Sequence, residues 1–165
     1  MQNEVFVKPC VGAIIEKNIS GTPHILLQTR QKAGGGDTNG KLEIPAGKIR
    51  EYESVFDALR REVQEETGLQ VTGIREEESA GRIQFCGAGT ISMEPFCVTQ
   101  NLSGAYSIIL LTFICEAEGE LLERTEETED IRWVPVSAVE RMVREEPELF
   151  FFMHLQGLRK YMGMG

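Results

Sequence analysis

Residues 47–69 read GKIREYESVFDALRREVQEETGL, and this stretch decides how the rest of the chain is arranged. It contains a loop, a helix and a helix stop. Ser54 is placed to cap the helix, with Asp57 three residues on to complete a capping box. Val55, Phe56, Leu59 and Val63 recur at helical spacing and form an apolar stripe. Gly68 supplies the stop, because a left-handed residue costs little only without a side chain.

Beside the stripe stand three acids. Glu62, Glu65 and Glu66 follow the i, i+3, i+4 rule and share one part of the helix surface. Carboxylates this close repel each other, so positive charge must sit among them. Arg60 and Arg61 are one source, and a hard divalent cation is the other. Oxygen donors suit Mg2+, with Mn2+ as a substitute, and no Cys/His cluster is present to suit Zn2+. Mg2+ takes one or two protein carboxylates, keeps waters and meets substrate phosphates, as phosphoryl chemistry requires. A glutamate trio by itself is more often a solvated helix face.

The spacing narrows the choice. Gly47, five residues, Glu53, seven residues, Arg61, Glu62, an aliphatic Val63, one residue, Glu65, Glu66, one residue, Gly68 and an aliphatic Leu69 match the Nudix box at every position. Its fixed residues would coincide by chance roughly once in 10^8 start positions. The sequence therefore resembles the Nudix hydrolases. The resemblance implies a single α/β domain over residues 1–165, a Nudix-like α/β/α sandwich around a mixed β-sheet. It implies hydrolysis of a phosphoanhydride bond in a nucleoside diphosphate linked to another group, with water as nucleophile. Metal binding falls to Glu62, Glu65 and Glu66 together with Gly47. Arg61 is expected to hold a carboxylate through a bidentate pair, and Glu53 to support the metal shell.

In Nudix enzymes a further Glu often comes from the loop before a strand carrying Trp. Here that Trp is Trp133, within IRWVPV. Glu127 best matches the loop carboxylate and is the first choice for general base, Glu126 is the close alternative, and Glu62 or Glu65 would serve from the helix. Before the box, LEIPAGK is similar to the same stretch of ADP-ribose pyrophosphatases, with Ala46 where MutT-like members usually have Gly. This favours ADP-ribose or a nucleoside diphosphate sugar. The downstream SPGF-type and SQPWPF-type motifs are missing. A MutT-like nucleoside triphosphate pyrophosphohydrolase and a non-catalytic nucleotide-binding module stand as alternatives. Substrate contacts are expected from Arg30 and Lys48 to phosphate, and from Phe96 and Tyr106 to the base, although each ring would otherwise simply pack the sheet.

Composition sets outer bounds. The net charge of -9, from 17 basic and 26 acidic residues, is poorly suited to long nucleic acid but compatible with a small nucleotide held through metal. Cys10, Cys86, Cys97 and Cys115 lack metal-ligand spacing and read as free thiols of a reducing compartment. No basic region precedes an apolar one at the start, and no long apolar run occurs, so neither leader nor membrane span is expected. The expected location is cytoplasmic.

Along the chain, strands are expected at Val5–Glu16 and His24–Arg30, with His24 at the surface. Gln31–Gly40 reads as a mobile turn bordering the substrate pocket rather than a phosphate cradle. Leu42–Pro45 should be a short strand, Val71–Glu78 an exposed one, and Gly81–Gly89 a turn region. Thr90–Gln100 and Tyr106–Cys115 should form a hairpin, and Glu116–Asp130 an acidic loop. Ser137 should cap a helix to Arg144 with Glu140 in its capping box. From Pro147 a second helical stretch carries Phe150, Phe151, Phe152, Leu155 and Leu158, which should pack the core or the partner of a homodimer. His154 belongs to that structural helix, and Lys160–Gly165 should fray.

Overall fold

The structure is a computed structural model that describes residues 4–164; the ends of the 1–165 domain, with Gly165 of the expected frayed segment, lie outside the described residues. In chain order the elements begin β1 (Lys8–Ile19), β2 (Thr22–Arg30), β3 (Leu42–Glu43), β4 (Ala46–Lys48) and α1 (Val55–Thr67). They continue β5 (Gln70–Ile74), β6 (Gly81–Phe85), β7 (Ala88–Ser92), β8 (Cys97–Gln100), β9 (Ile108–Glu118) and β10 (Thr128–Pro135). Two helices close the chain, α2 (Val136–Glu145) and α3 (Phe152–Tyr161).

The main sheet runs β10-β2-β1-β9-β5, with β3 on β2, β4 on β1 and β8 on β9. Only β1 and β9 pair in parallel; the other ladders are antiparallel, so the sheet is mixed. One side of β1 is shared. Glu16–Ile19 pairs with β2, whereas Cys10–Gly12 pairs with β4. The sheet splays between these two pairings, and the cleft described below opens there.

Side chains of a strand alternate between faces, and here both faces are buried. Val11, Ala13 and Ile15 of β1, Leu26 of β2 and Phe113 and Cys115 of β9 share one core with Val55, Phe56, Leu59 and Val63 of α1. Ile14, Ile25, Leu27 and Ile114 enter a second core with Val139 and Val143 of α2 and Leu158 of α3. Each large side chain removed from water in these layers contributes about 2 kcal/mol. The sandwich is α/β/α, as expected.

Local signals on α1 hold. Ser54 Oγ accepts from Asp57 N–H at 3.1 Å, and Gly68 is left-handed with φ 81°. The Asp57 carboxylate accepts from the Ser54 hydroxyl at 2.7 Å rather than from the cap's own N–H. All four cysteines are free.

Several expected elements are corrected. Gly81–Gly89 is not a turn region: β6 and β7 form a separate hairpin around Cys86 and Gly87, both at positive φ (50° and 81°). Such two-residue turns match the twist of the strands they join. Strand β7 ends at Ser92, while within Thr90–Gln100 strand β8 begins just after Pro95 and pairs antiparallel with β9, the expected hairpin. The acidic segment 116–130 is largely strand at its ends, with Glu118 closing β9 and Thr128 opening β10. Ser137 does not cap α2; Pro135 holds that place without a side-chain bond, and Glu140 accepts from Arg144 at 2.9 Å. The chain does not fray at residue 160: Tyr161 donates to Glu16 Oε1 at 2.7 Å, and Met162 and Met164 pack on the second core. Phe150, Phe151 and Leu158 are buried within their own chain, leaving Phe152 half-exposed.

Candidate active site

A cleft of about 950 Å³ lies where β1 parts from β2. Its walls come from the end of β2 and the following loop, from β3 and β4, from α1, from the loop before β10, from the start of β9 and from α3. Of the expected residues, Gly47, Lys48, Arg61, Glu62, Glu65, Glu66, Glu126, Glu127, Arg30 and Tyr106 line it. Glu53 stands behind Arg61.

Arg61 organises the outer half. Its Nε and Nη2 donate to Glu53 Oε1 and Oε2 at 2.7 and 2.9 Å, the expected bidentate pair. Its Nη1 donates to Glu62 and to Glu65, and Nη2 also reaches the Lys48 carbonyl at 3.0 Å. The Arg61 hydrogen bonds hold the Glu53 carboxyl down at about 2. Glu62 lies against Gly47: a Cβ there would fall 1.9 Å from the Glu62 carboxyl carbon. Gly47→Ala must therefore displace Glu62, and we expect kcat to fall about 100-fold with a stability loss of about 1–3 kcal/mol. Steady-state kinetics beside urea unfolding checks this; wild-type kcat in the alanine variant would show that Glu62 need not lie there.

Glu66 organises the inner half. It is buried, and its Oε2 accepts from Ala46 N–H at 3.0 Å and Gln28 Nε2 at 2.7 Å. Its Oε1 meets Lys32 Nζ at 3.2 Å. Burial pushes the Glu66 carboxyl up to about 7, with Glu43 adding to the rise and Lys32 opposing it. Lys32 Nζ also pairs with Glu127 Oε2 at 2.9 Å and so bridges helix and loop.

Two expected substrate residues are placed differently from the rest. Arg30 lines the cleft but is already engaged there. It is buried, donates to Glu43 Oε2 and Thr38 Oγ1 at 3.1 Å each, and lies 4.4 Å over the Phe151 ring. Phe96 is outside the cleft, edge-on to Tyr161 at 6.4 Å with Lys160 over its face, because the residue before β8 faces α3. Tyr106 does reach the cleft, its hydroxyl 3.1 Å from Thr38 Oγ1 and its ring edge-on to Phe151 at 5.5 Å.

The sequence reading missed Lys32, Gln28, Glu43, Phe151 and His154. Gln28 carried a weak signal, a polar residue directly after the apolar run Ile25–Leu27. His154 is buried at the cleft floor, its Nδ1 unpartnered and its Nε2 3.9 Å from Glu43 Oε2. Burial, with Arg30 and Lys32 nearby, lowers its pKa to about 3. The unfolded chain binds a proton there below about 6.5 and the folded chain does not until near 3, so acid drains stability across that window. Between pH 7 and 5 wild type should lose about 2 kcal/mol more than His154→Gln in urea unfolding. Equal losses would place the charged imidazole comfortably inside the fold.

Among the described residues no group of three or more His, Cys, Asp or Glu side chains is drawn together as a ready metal cage. Arg61 and Lys32 stand among the acids instead. The donor set nevertheless fits a hard cation: every available atom is oxygen, Glu66 Oε1 faces the cleft, and Gly47 leaves the Glu62 carboxylate its space.

Residues 8–152 match the NUDIX domain family, and the chain belongs to it. No curated protein matches the chain. Among solved structures it is similar to the NUDIX domain of Shewanella oneidensis NrtR complexed with ADP ribose (TM-score 0.68, 18% identity, covering 97% of this chain and 88% of that one). It is also similar to the MutT protein of Methanosarcina mazei (TM-score 0.61, 18% identity, 99% and 97% covered) and to the ORF135 protein of E. coli (TM-score 0.60, 21% identity, 97% and 91% covered). Family membership supports Nudix-type phosphoanhydride hydrolysis of a small nucleotide.

Proposed function

We propose that this chain hydrolyses the phosphoanhydride bond of a nucleoside diphosphate linked to a second group, with ADP-ribose or a nucleoside diphosphate sugar favoured over a triphosphate. The observation that carries the substrate class is the cleft. Its volume of about 950 Å³ leaves room on both sides of a diphosphate. At the inner end Tyr106, backed by buried Phe151, offers aromatic surface for a base. At the outer end Lys48 and Arg50 offer polar groups to a sugar. A domain of the same fold holds ADP ribose, which agrees with this choice.

Glu62, Glu65 and Glu66, with the Gly47 backbone, would hold Mg2+ or Mn2+. The chemistry such a cation supplies when bound is neutralisation of diphosphate charge at the attacked phosphorus. The chain's own groups do the rest. Arg61 fixes the rotamers of Glu53, Glu62 and Glu65 before substrate arrives. Glu127 is the preferred base: its carboxylate lines the cleft from a separate element and would take a proton from the attacking water, with Glu126 beside it as alternate. Glu62 and Glu65 are the weaker rivals, since both accept from Arg61 and are also the ones that would hold the cation.

The test is kcat/KM across ADP-ribose, other diphosphate sugars, normal and oxidised triphosphates and dinucleoside polyphosphates in Mg2+. ADP-ribose or a diphosphate sugar should lead. A triphosphate ahead by tenfold, about 1.4 kcal/mol, would overturn the substrate class. Tight ADP-ribose binding in Ca2+ with no product from any compound in Mg2+ or Mn2+ would mark a binding module instead.

A further inference from the structure

We propose that Lys32 is a substrate-positioning residue: it is parked on Glu66 and Glu127 in the ligand-free chain and is handed to the substrate's diphosphate when a divalent cation takes Glu66. This deepens the hydrolase reading above and rests on it.

The geometry points this way from three sides. Lys32 Nζ lies 3.2 Å from Glu66 Oε1 and 2.9 Å from Glu127 Oε2, at the cleft-facing oxygen of the buried helix carboxylate. Glu66 Oε2 is already taken by Ala46 and Gln28, so Oε1 is the atom left for a cation. Ammonium and metal therefore compete for one oxygen. A doubly charged ion there would expel the lysine by direct repulsion.

The second side is where the lysine can go. Its backbone is anchored, because the Lys32 carbonyl accepts from Gly35 N–H at 2.9 Å and Asn39 Nδ2 at 3.1 Å. The adjoining Gln31 N–H donates to the Glu127 carbonyl at 2.7 Å. Only the four-carbon side chain need swing, and it is partly exposed along the cleft wall beside Ala33, Gly34 and Gly35. The flexible stem and compact charge of lysine suit such a move.

The third side is the state of the other cations. Of these, Arg61 is committed to Glu53, Arg30 to buried Glu43 and Arg50 to Glu65, while Lys8 and Lys48 also line the cleft. The departure of Lys32 also frees Glu127 Oε2, now paired with the ammonium at 2.9 Å, to accept a hydrogen bond from water.

Two arms test the hand-over. In the first, Mn2+ alone is titrated into wild type, Lys32→Met and Lys32→Gln and followed by electron paramagnetic resonance. Both uncharged variants should bind Mn2+ at least about threefold more tightly, since a competitor is gone. In the second, ADP-ribose turnover in Mg2+ should show KM raised about tenfold in Lys32→Met with kcat within about threefold, and Lys32→Arg should recover most of the loss. Unchanged or weaker Mn2+ binding in both uncharged variants would overturn the shared oxygen, whatever the substrate proves to be. If wild type turns over ADP-ribose, an unchanged KM in Lys32→Met would overturn the hand-over. Tighter Mn2+ binding beside no turnover by wild type would support the lysine's place among the carboxylates and count against ADP-ribose.

Discussion

Replacing Glu66 with Gln should lower kcat about 10³-fold while leaving the fold in place. The size follows from which atom the substitution changes. Ala46 N–H and Gln28 Nε2 both donate to Glu66 Oε2. A glutamine amide can satisfy them only by placing its carbonyl oxygen there. Its NH2 must then occupy the Oε1 position, facing the cleft and Lys32. A donor replaces an acceptor at the one Glu66 atom offered to a cation. Stability should change by less than about 1 kcal/mol at pH 7, because burial already strains the Glu66 charge, pushing its carboxyl up to about 7. Kinetics and urea unfolding together check this. Activity within tenfold of wild type in a folded variant would remove Glu66 from the metal set.

Arg61→Ala should cost about 100-fold in kcat, and Arg61→Lys should recover little of it. One guanidinium grips both oxygens of Glu53 and also donates to Glu62, Glu65 and the Lys48 carbonyl. Without it three carboxylates face one another unscreened and lose their fixed rotamers. An ammonium can replace the charge but not the fork. A second readout is independent of turnover. Arg61 holds the Glu53 carboxyl at about 2, so an NMR titration of that carboxyl should return toward its ordinary 4.5 in the alanine variant. A Glu53 that still titrates near 2 would show that something other than Arg61 holds it.

What could be seen in advance was what local rules encode. The helix α1 carries its cap, stripe and stop within one continuous stretch, and its carboxylates followed from helical spacing. The faces of β2 could not be assigned, because helices cover both sides of the sheet and leave no polar alternation to read. The β6–β7 turn was hidden because Cys86 stands at a positive-φ position that sequence rules reserve for Gly, Asn or Asp. The inner half of the cleft was hidden for another reason. Gln28, Glu43, Glu66 and His154 come from four elements and meet only through the tertiary fold. Lys32 sits in a loop with no motif of its own, and its importance appears only once Glu66 and Glu127 stand on either side of it.

The most direct test of the account is product analysis of ADP-ribose incubated with wild type and Glu66→Gln, each in Mg2+ and in EDTA, followed by 31P NMR. Addition of water across the anhydride gives two monophosphates, AMP and ribose 5-phosphate. They should accumulate only with wild type in Mg2+. Equal product in EDTA, or equal product from Glu66→Gln, would contradict a cation-dependent hydrolysis centred on the carboxylates of α1.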